Sequence, residues 1–490
     1  MAVLLTKSKY LVGLECLNCL WNMFHAPDSI VERSSADMFK MRDGVLVGDL
    51  AKMLFPDGVD IPSDDFSANL KKSRLLLRSR KSLFEAGFKY KNLFSRADIL
   101  VPVGDELESW DIVEVKSGTS VKDINIHDVS FQKYVFEHCG LRIRNCFLLH
   151  LNSEYVRNGE LDLNSLFVKE DITKDVDDVF PLVRERIKMM VDAVSSDVSP
   201  SAGVFGSRIV SGYHDCFSDG CVVLPENNVF CLYRGGKFSS SLFARGITCI
   251  KDIPLDTPLS EKQTIQRLCD VKRKAHINGE KISDFLKTLV YPIYFLDFES
   301  FSTAVPMFNG LSPHSHVPFQ FSLHVVEKEG VKPTHHEFLY DGKGDPRSDF
   351  VSALKKVIGG KGTVLVYNQV FEIGRLRELA DFFPEHNGWI ENVLSRIVDL
   401  LAPFREFHYY NPRQQGSASI KDVLPAITGK GYEDLEIGDG GTASTEFYRV
   451  TYEDCSDEER QKVRENLLKY CEKDTLAEVE IVEKLRELCC

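Results

Sequence analysis

"WDIVEVKSG", residues 110–118, reads as a β-strand, yet Glu114 and Lys116 share one of its faces while Val113 and Val115 point to the other. An acid and an amine side by side on a mostly apolar strand require partners. Asp98 opens the strand signal "ADILVPV" about one hairpin upstream, and Glu85 lies before it in "SLFEAGF". Carboxylates gathered on a strand edge repel one another by several kcal/mol at an effective dielectric of about 20. They therefore take up protons or hold a hard divalent cation such as Mg2+ or Mn2+. A lysine on the same face then orients or deprotonates a water, or balances charge on a phosphate.

The segment that follows supports this reading. In "VSFQKYVFEHC", Val129, Gln132, Phe136 and Cys139 recur at helical spacing, which places the Gln132 amide on an apolar stripe; a strand, "CFLLHLN", comes next. The same problem recurs at residues 293–299, "IYFLDFE", where Asp297 and Glu299 share a face of a run that is otherwise apolar on both sides, as in a covered central strand. Two ionised carboxylates left there unpartnered cost several kcal/mol each, and metal ions relieve that cost. Downstream, "VLVYNQVFEIGRL" sets Asn368 and Glu372 at a strand-to-helix junction, and "LLKYCEKDTLAEV" sets Tyr470 and Asp474 on one helix face. Asp399, in "SRIVDLLAPF", is either a further ligand or a surface or capping acid.

At 490 residues the chain exceeds one ordinary core, and 43% hydrophobic with 27% charged residues describes a globular protein. No apolar run is long enough for a bilayer span or secretory signal, so the expectation is a cytoplasmic protein without membrane contact. The formal charge of -13 argues against coating nucleic acid by bulk electrostatics. Residues 71–81, "KKSRLLLRSRK", nevertheless carry Lys71, Lys72, Arg74 and Arg78 among six bases and no acid, either as a solvated helix face or as a phosphate-contacting one. Cys16 and Cys19 form C-x-x-C, and Cys216 and Cys221 stand in "CFSDGC"; these four are either metal-binding thiolates or buried core residues. The order of signals predicts an α/β protein: a mixed unit over 1–235, a helical connector over 236–287 and a second mixed unit over 288–490.

The spacing of Asp98, Glu114 and Lys116 resembles the active site of PD-(D/E)XK nucleases of the restriction-endonuclease-like fold, and Gln132 matches a glutamine that RecB-like and Cas4-like nucleases carry on the equivalent helix. The resemblance implies catalytic roles for Asp98, Glu114, Lys116 and Gln132, with Glu85, Asp98 and Glu114 as metal ligands. The later set, D-x-E, N-x-x-F-E and Y-x-x-x-D, resembles the tyrosine-bearing DEDD exonucleases of the ribonuclease H-like fold. By that likeness Asp297, Glu299, Glu372 and Asp474 bind two divalent ions and Tyr470 positions the attacking water. Glu372 departs from the usual Asp, and its extra methylene moves the carboxylate by more than roughly 1 Å at a site where Mg2+ demands near-ideal octahedral geometry.

In Cas4-like and AddB-like nucleases an iron-sulfur cluster joins one early cysteine to three late ones. Here the split is two and two, and the resemblance favours a [4Fe-4S] cluster over zinc. "FLDFESFSTAVPMF", "VPFQFSLH", "YYNPRQQGSASIKDVLPA" and "YCEKDTLAEVEIV" resemble the prokaryotic family of domain of unknown function 2779, in which a Cas4-like half precedes an exonuclease-like half. Together these likenesses imply a metal-dependent nuclease acting on DNA, with RNA as the alternative substrate; Lys71, Lys72, Arg74, Arg78 and Asn368 are the candidate nucleic-acid contacts. The rival expectation is a catalytically inactive or half-active nucleic-acid-binding scaffold. Ser419 and Lys421 either begin a helix or, for Lys421, meet a phosphate.

Overall fold

"LFEAGFKY", "LFSRADILVP" and "SWDIVEVK", each mostly buried, form three long neighbouring strands that bring Glu85, Asp98 and Glu114 to one level of the sheet. The computed structural model describes residues 3–27, 34–200 and 224–489, so Cys216 and Cys221 lie outside the described residues. Contacts divide the chain into two units: residues 1–33, 37–223 and 303–315 form the first, and residues 34–36, 224–302 and 316–490 the second. Among the described residues no helix is long and apolar enough to cross a membrane.

The first unit holds one mixed sheet of β1 (Leu5–Thr6), β2 (Val59–Asp60), β3 (Leu83–Tyr90), β4 (Leu93–Pro102), β5 (Ser109–Lys116), β6 (Arg142–Leu151) and β7 (Phe167–Asp171). Its order is β2-β3-β4-β5-β6-β7, with β1 beside β4. β3, β4 and β5 are antiparallel, and β5 runs parallel to β6. A parallel pair needs a crossover, and the helix Asp123–His138 supplies it. This helix begins a turn before the apolar periodicity, because the Asn125 side chain accepts from the Lys122 N–H at 2.9 Å. Tyr10 stacks on Phe131 with centroids 4.6 Å apart, fixing the helix Lys7–Glu15 against it.

β4 starts at Leu93, so Asp98 sits in mid-strand rather than at its opening. On β3, Gly87 allows the helix Phe66–Leu76 to approach: a Cβ there would lie 2.1 Å from Asn69 Oδ1. Asn69 Nδ2 in turn donates to the Glu85 carbonyl at 3.0 Å.

The second unit contains β8 (His276–Ile277), β9 (Ile293–Ser302), β10 (His316–Val326), β11 (Thr334–Leu339), β12 (Thr363–Val366), β13 (Ile397–Asp399) and β14 (Tyr409–Tyr410). Its main sheet has the order β11-β10-β9-β12-β13. The first three strands are antiparallel, and β9, β12 and β13 run parallel. Phe298, Phe321 and Phe350 build the core on one face. On the other, Phe295 and Leu365 pack with Ile481, Val482 and Leu485 of the helix Asp457–Glu487, which therefore covers the side bearing Asp297 and Glu299. The helices Gly236–Ala244, Glu261–Lys272 and Gly279–Lys287 group by contacts with this unit, and β8 pairs with β14.

Candidate functional site

Five carboxylates meet on the helix-covered face of the second sheet. Asp297 and Glu299 come from β9, and the helix Asp457–Glu487 lines up Tyr470, Asp474 and Glu478 at intervals of one turn. Asp297, Glu299 and Asp474 each offer an oxygen within 4.8 Å of the other two. Glu372, in the first turn of the helix Val370–Phe382, is buried and adds its charge to those felt by Asp297 and Glu299. The Tyr432 hydroxyl donates to Asp474 Oδ1 at 2.7 Å, and the Cys471 thiol to Asp297 Oδ2 at 3.5 Å. Lys421 Nζ lies 5.2 Å from the centre of the Tyr470 ring, and its charge offsets part of that on Glu299 and Asp474.

Lys421, with Lys473 near Asp474 and Arg375 near Glu372, does not neutralise this cluster. Burial, then repulsion from Asp474, pushes Glu299 up to about 8. Burial and Asp399 push Glu372 up to about 8. Asp297 and Glu478 are driven well above the carboxylate range by burial and by their acidic neighbours. Asp474 rises less, to about 6, because the Tyr432 hydrogen bond works against burial. Oε2 of Glu372 and Oε2 of Glu478 are buried and accept no hydrogen bond from the protein. Buried lone pairs without donors are costly, and oxygen-seeking divalent cations satisfy them. The residues present therefore fit Mg2+ or Mn2+.

The first unit gathers its own set, with a different balance. The β4/β5 ladder pairs Ile99 with Val113, so the next residues along, Asp98 and Glu114, face one another. Glu114 Oε1 accepts from Lys116 at 2.6 Å and from Lys7 at 2.8 Å, and Oε2 accepts from Gln132 Nε2 at 2.6 Å. Lys116 also donates to Asp128 Oδ2 at 2.9 Å, and Gln132 to Asp128 Oδ1 at 3.0 Å. Asp98 Oδ2 accepts from the Val115 N–H at 2.8 Å.

Burial acts to raise Glu114, but Lys116 and Lys7 override it and hold the carboxyl below its ordinary range. Burial and the charge of Glu114 push Asp98 up to about 7. Glu85 faces the same cleft of about 620 Å3, paired with Arg96 at 2.8 Å and within 3.8 Å of Lys52. Here two lysines already occupy the place beside Glu114 that a cation would take.

Several other sequence expectations find definite places. Lys71, Lys72, Arg74 and Arg78 are exposed on the helix Phe66–Leu76 and the turn after it. Asn368 adopts a left-handed φ of 73°, and its N–H donates to Asp399 Oδ1 at 2.9 Å. Asp399 also accepts from the Leu401 N–H at 3.0 Å, so it acts as a buried capping acid at the end of β13. Ser419 caps the helix Ile420–Thr428, which brings Lys421 to the carboxylates. Cys16 and Cys19 are buried, and Cys16 Sγ accepts from the Cys19 N–H at 3.2 Å as a helix cap.

Sequence reasoning missed Lys7, Asp128, Tyr432 and Glu478. Asp128 and Glu478 carried a signal, since each lies one helical turn from a named residue, Gln132 and Asp474. Lys7 and Tyr432 carried none, because each meets its partner through the fold alone.

Residues 294–419, the stretch from β9 to the cap of the Lys421 helix, match the model of a family described as domain of unknown function (DUF2779). An uncharacterized protein of Mycoplasma genitalium is 24% identical over 407 residues, covering 72% of this chain and 61% of the relative. An uncharacterized protein of Ureaplasma parvum serovar 3 is 24% identical over 228 residues, covering 42% of this chain and 32% of the relative. The chain thus spans less than two thirds of the length of either relative.

Proposed function

We propose that the chain is a divalent-metal-dependent nuclease that hydrolyses phosphodiester bonds, with DNA as the favoured substrate and RNA as the other. The observation that carries this reading is the cluster of Asp297, Glu299, Glu372, Asp474 and Glu478, with two buried oxygens lacking donors and fewer cations than acids around it. The mixed strand order β11-β10-β9-β12-β13 supports a ribonuclease H-like fold, and the antiparallel-then-parallel sheet of the first unit supports a restriction-endonuclease-like one.

Metal ions held by Asp297, Glu299, Glu372 and Asp474 would supply charge stabilisation for the entering and departing oxygens of an in-line displacement. The chain's own groups do the rest. Tyr470, beside Asp474, has its hydroxyl proton held tightly by burial and acidic neighbours, so it orients a water by hydrogen bonding instead of accepting a proton. Lys421 offsets phosphate charge at the rim. On this reading the second unit removes nucleotides in the 3'-5' direction, and in the first unit Lys116, Glu114, Asp98 and Gln132 form a PD-(D/E)XK site with Glu85 at its edge.

A second reading, a half-active protein whose first unit only binds nucleic acid, is favoured by one feature: Glu114 is already saturated by Lys7, Lys116 and Gln132. End-labelled single- and double-stranded DNA and RNA, incubated with Mg2+ or Mn2+, separate the possibilities. Loss of digestion in Asp297→Ala with retention in Lys116→Ala supports the half-active form, and loss in each of two distinct product patterns supports two sites. Intact substrates with wild-type protein under all conditions sink the nuclease reading.

A further inference from the structure

On the same face of the second sheet, on β10 and β11 beside β9, lies a group that the carboxylate site does not use. His324 on β10 and His335 on β11 are directly paired across the strands, their rings stacked with centroids 4.5 Å apart. Glu472 from the helix Asp457–Glu487 stands above them, with Oε1 3.8 Å from His335 Nδ1. One ligand atom of each of the three lies within 4.8 Å of the others.

The polar contacts behind the imidazoles fix how they present themselves. The Thr475 hydroxyl donates to the Glu472 carbonyl at 3.2 Å, one turn back on the helix, so its oxygen is left as an acceptor. Ser322 Oγ lies 2.7 Å from Thr475 Oγ1, and His324 Nδ1 lies 2.8 Å from the same oxygen. Ser322 Oγ is also hydrogen-bonded to His335 Nε2 at 2.9 Å. The ring nitrogens that these hydroxyls leave unengaged, His324 Nε2 and His335 Nδ1, are the ones placed to coordinate. Hydroxyls behind ligating histidines are the support a metal site needs to set ring orientation and basicity. Burial of His324, reinforced by His335, favours the neutral ring, lowering it to about 4.

We propose that His324, His335 and Glu472 form a separate binding site for a borderline divalent cation of the Zn2+ class, tying β10 and β11 to the helix that carries Tyr470 and Asp474. Two imidazoles and a carboxylate suit Zn2+, and three protein ligands leave a fourth position for water. Glu472 is about half exposed, so an ion enters from solvent on that side.

The test uses full-length protein stripped of metal and titrated with Zn2+, following bound metal and melting temperature. His335→Gln and Glu472→Gln should each lose one equivalent of Zn2+ or weaken it at least about tenfold. They should also lose the melting-temperature rise that Zn2+ gives the wild type. Asp297→Asn, which alters only the carboxylate cluster, should keep both. To guard against a variant that is merely destabilised, His335→Cys loaded with Co2+ should gain a thiolate-to-cobalt absorption band over the wild type. Equal Zn2+ content and equal thermal shift in wild type, His335→Gln and Glu472→Gln, or a His335→Cys spectrum identical to that of the wild type, overturns the proposal.

Discussion

The hydroxyl of Tyr432 donates to Oδ1 of Asp474 across 2.7 Å, joining residues that are 42 apart in the chain. This bond keeps Asp474 nearer to ionisation than its neighbours on β9. Tyr432→Phe removes the donor and leaves the ring. On the proposed reading, the Mg2+ concentration for half-maximal digestion should rise by a factor of about 5, the equivalent of one ordinary hydrogen bond of about 1 kcal/mol. A titration of activity against Mg2+ that superimposes on the wild-type curve would show that Asp474 does not rely on Tyr432.

Asp297→Asn should act in opposite directions on stability and turnover. Removing one of five crowded acids relieves repulsion, so the metal-free variant should melt above the metal-free wild type, by about 1–2 kcal/mol in stability. Its digestion should be lost, along with the stabilisation that Mg2+ gives the wild type. Differential scanning calorimetry in EDTA and in Mg2+ measures both, and a metal-free variant that melts lower contradicts the electrostatic account.

In the first unit, Lys7→Met leaves Glu114 and Asp128 with one cation in place of two. Breaking a fully buried ion pair costs about 3–5 kcal/mol. The Lys7 side chain is 23% exposed, so the expected loss is smaller, about 2–4 kcal/mol. Urea unfolding followed by the fluorescence of the buried Trp110 reports on this core. An unchanged midpoint would mean that Lys116 and Gln132 suffice.

The metal-free protein should lose stability as the pH rises from 5 to 8. Glu299 and Glu372 are held up at about 8 and Asp474 at about 6, so the folded state binds more protons than the unfolded chain in this range. Stability supplied by those bound protons is present at low pH and fades as each folded value is passed. Glu114, shifted the other way, contributes only below the ordinary carboxylate range, outside this window. Melting temperatures in EDTA should fall across the interval, and the slope should flatten with Mg2+ and in Glu299→Gln. A flat or rising profile in EDTA contradicts the assignment.

The elements with strong periodicity were legible before any coordinates. "IYFLDFES", "FQFSLHVVE" and "TVLVYNQ" lie on β9, β10 and β12, and the long acidic terminal helix falls within a residue of its expected span. β11 and β13 were not read, because an exposed edge strand such as "THHEFL" and a three-residue strand such as "IVD" lack an alternating apolar pattern. Glu85 was named without its strand, since Gly87 and Lys89 mask the alternation of β3. There the left-handed φ of 57° at Glu85 records a local irregularity that no propensity rule announces.

The sequence by itself determined which polar groups would be trapped in apolar structure, because strand and helix periods assign a face to Glu114, Asp297, Glu299, Gln132 and Asp474 whatever the fold around them. It could not determine how those acids are compensated. Compensation depends on side chains brought close in space from distant parts of the chain: Lys7 lies 107 residues from Glu114, and no local period encodes that distance. Only the tertiary structure decided that the first cluster is neutralised by two lysines, while the second, walled in by one long helix, keeps its excess of acidic groups.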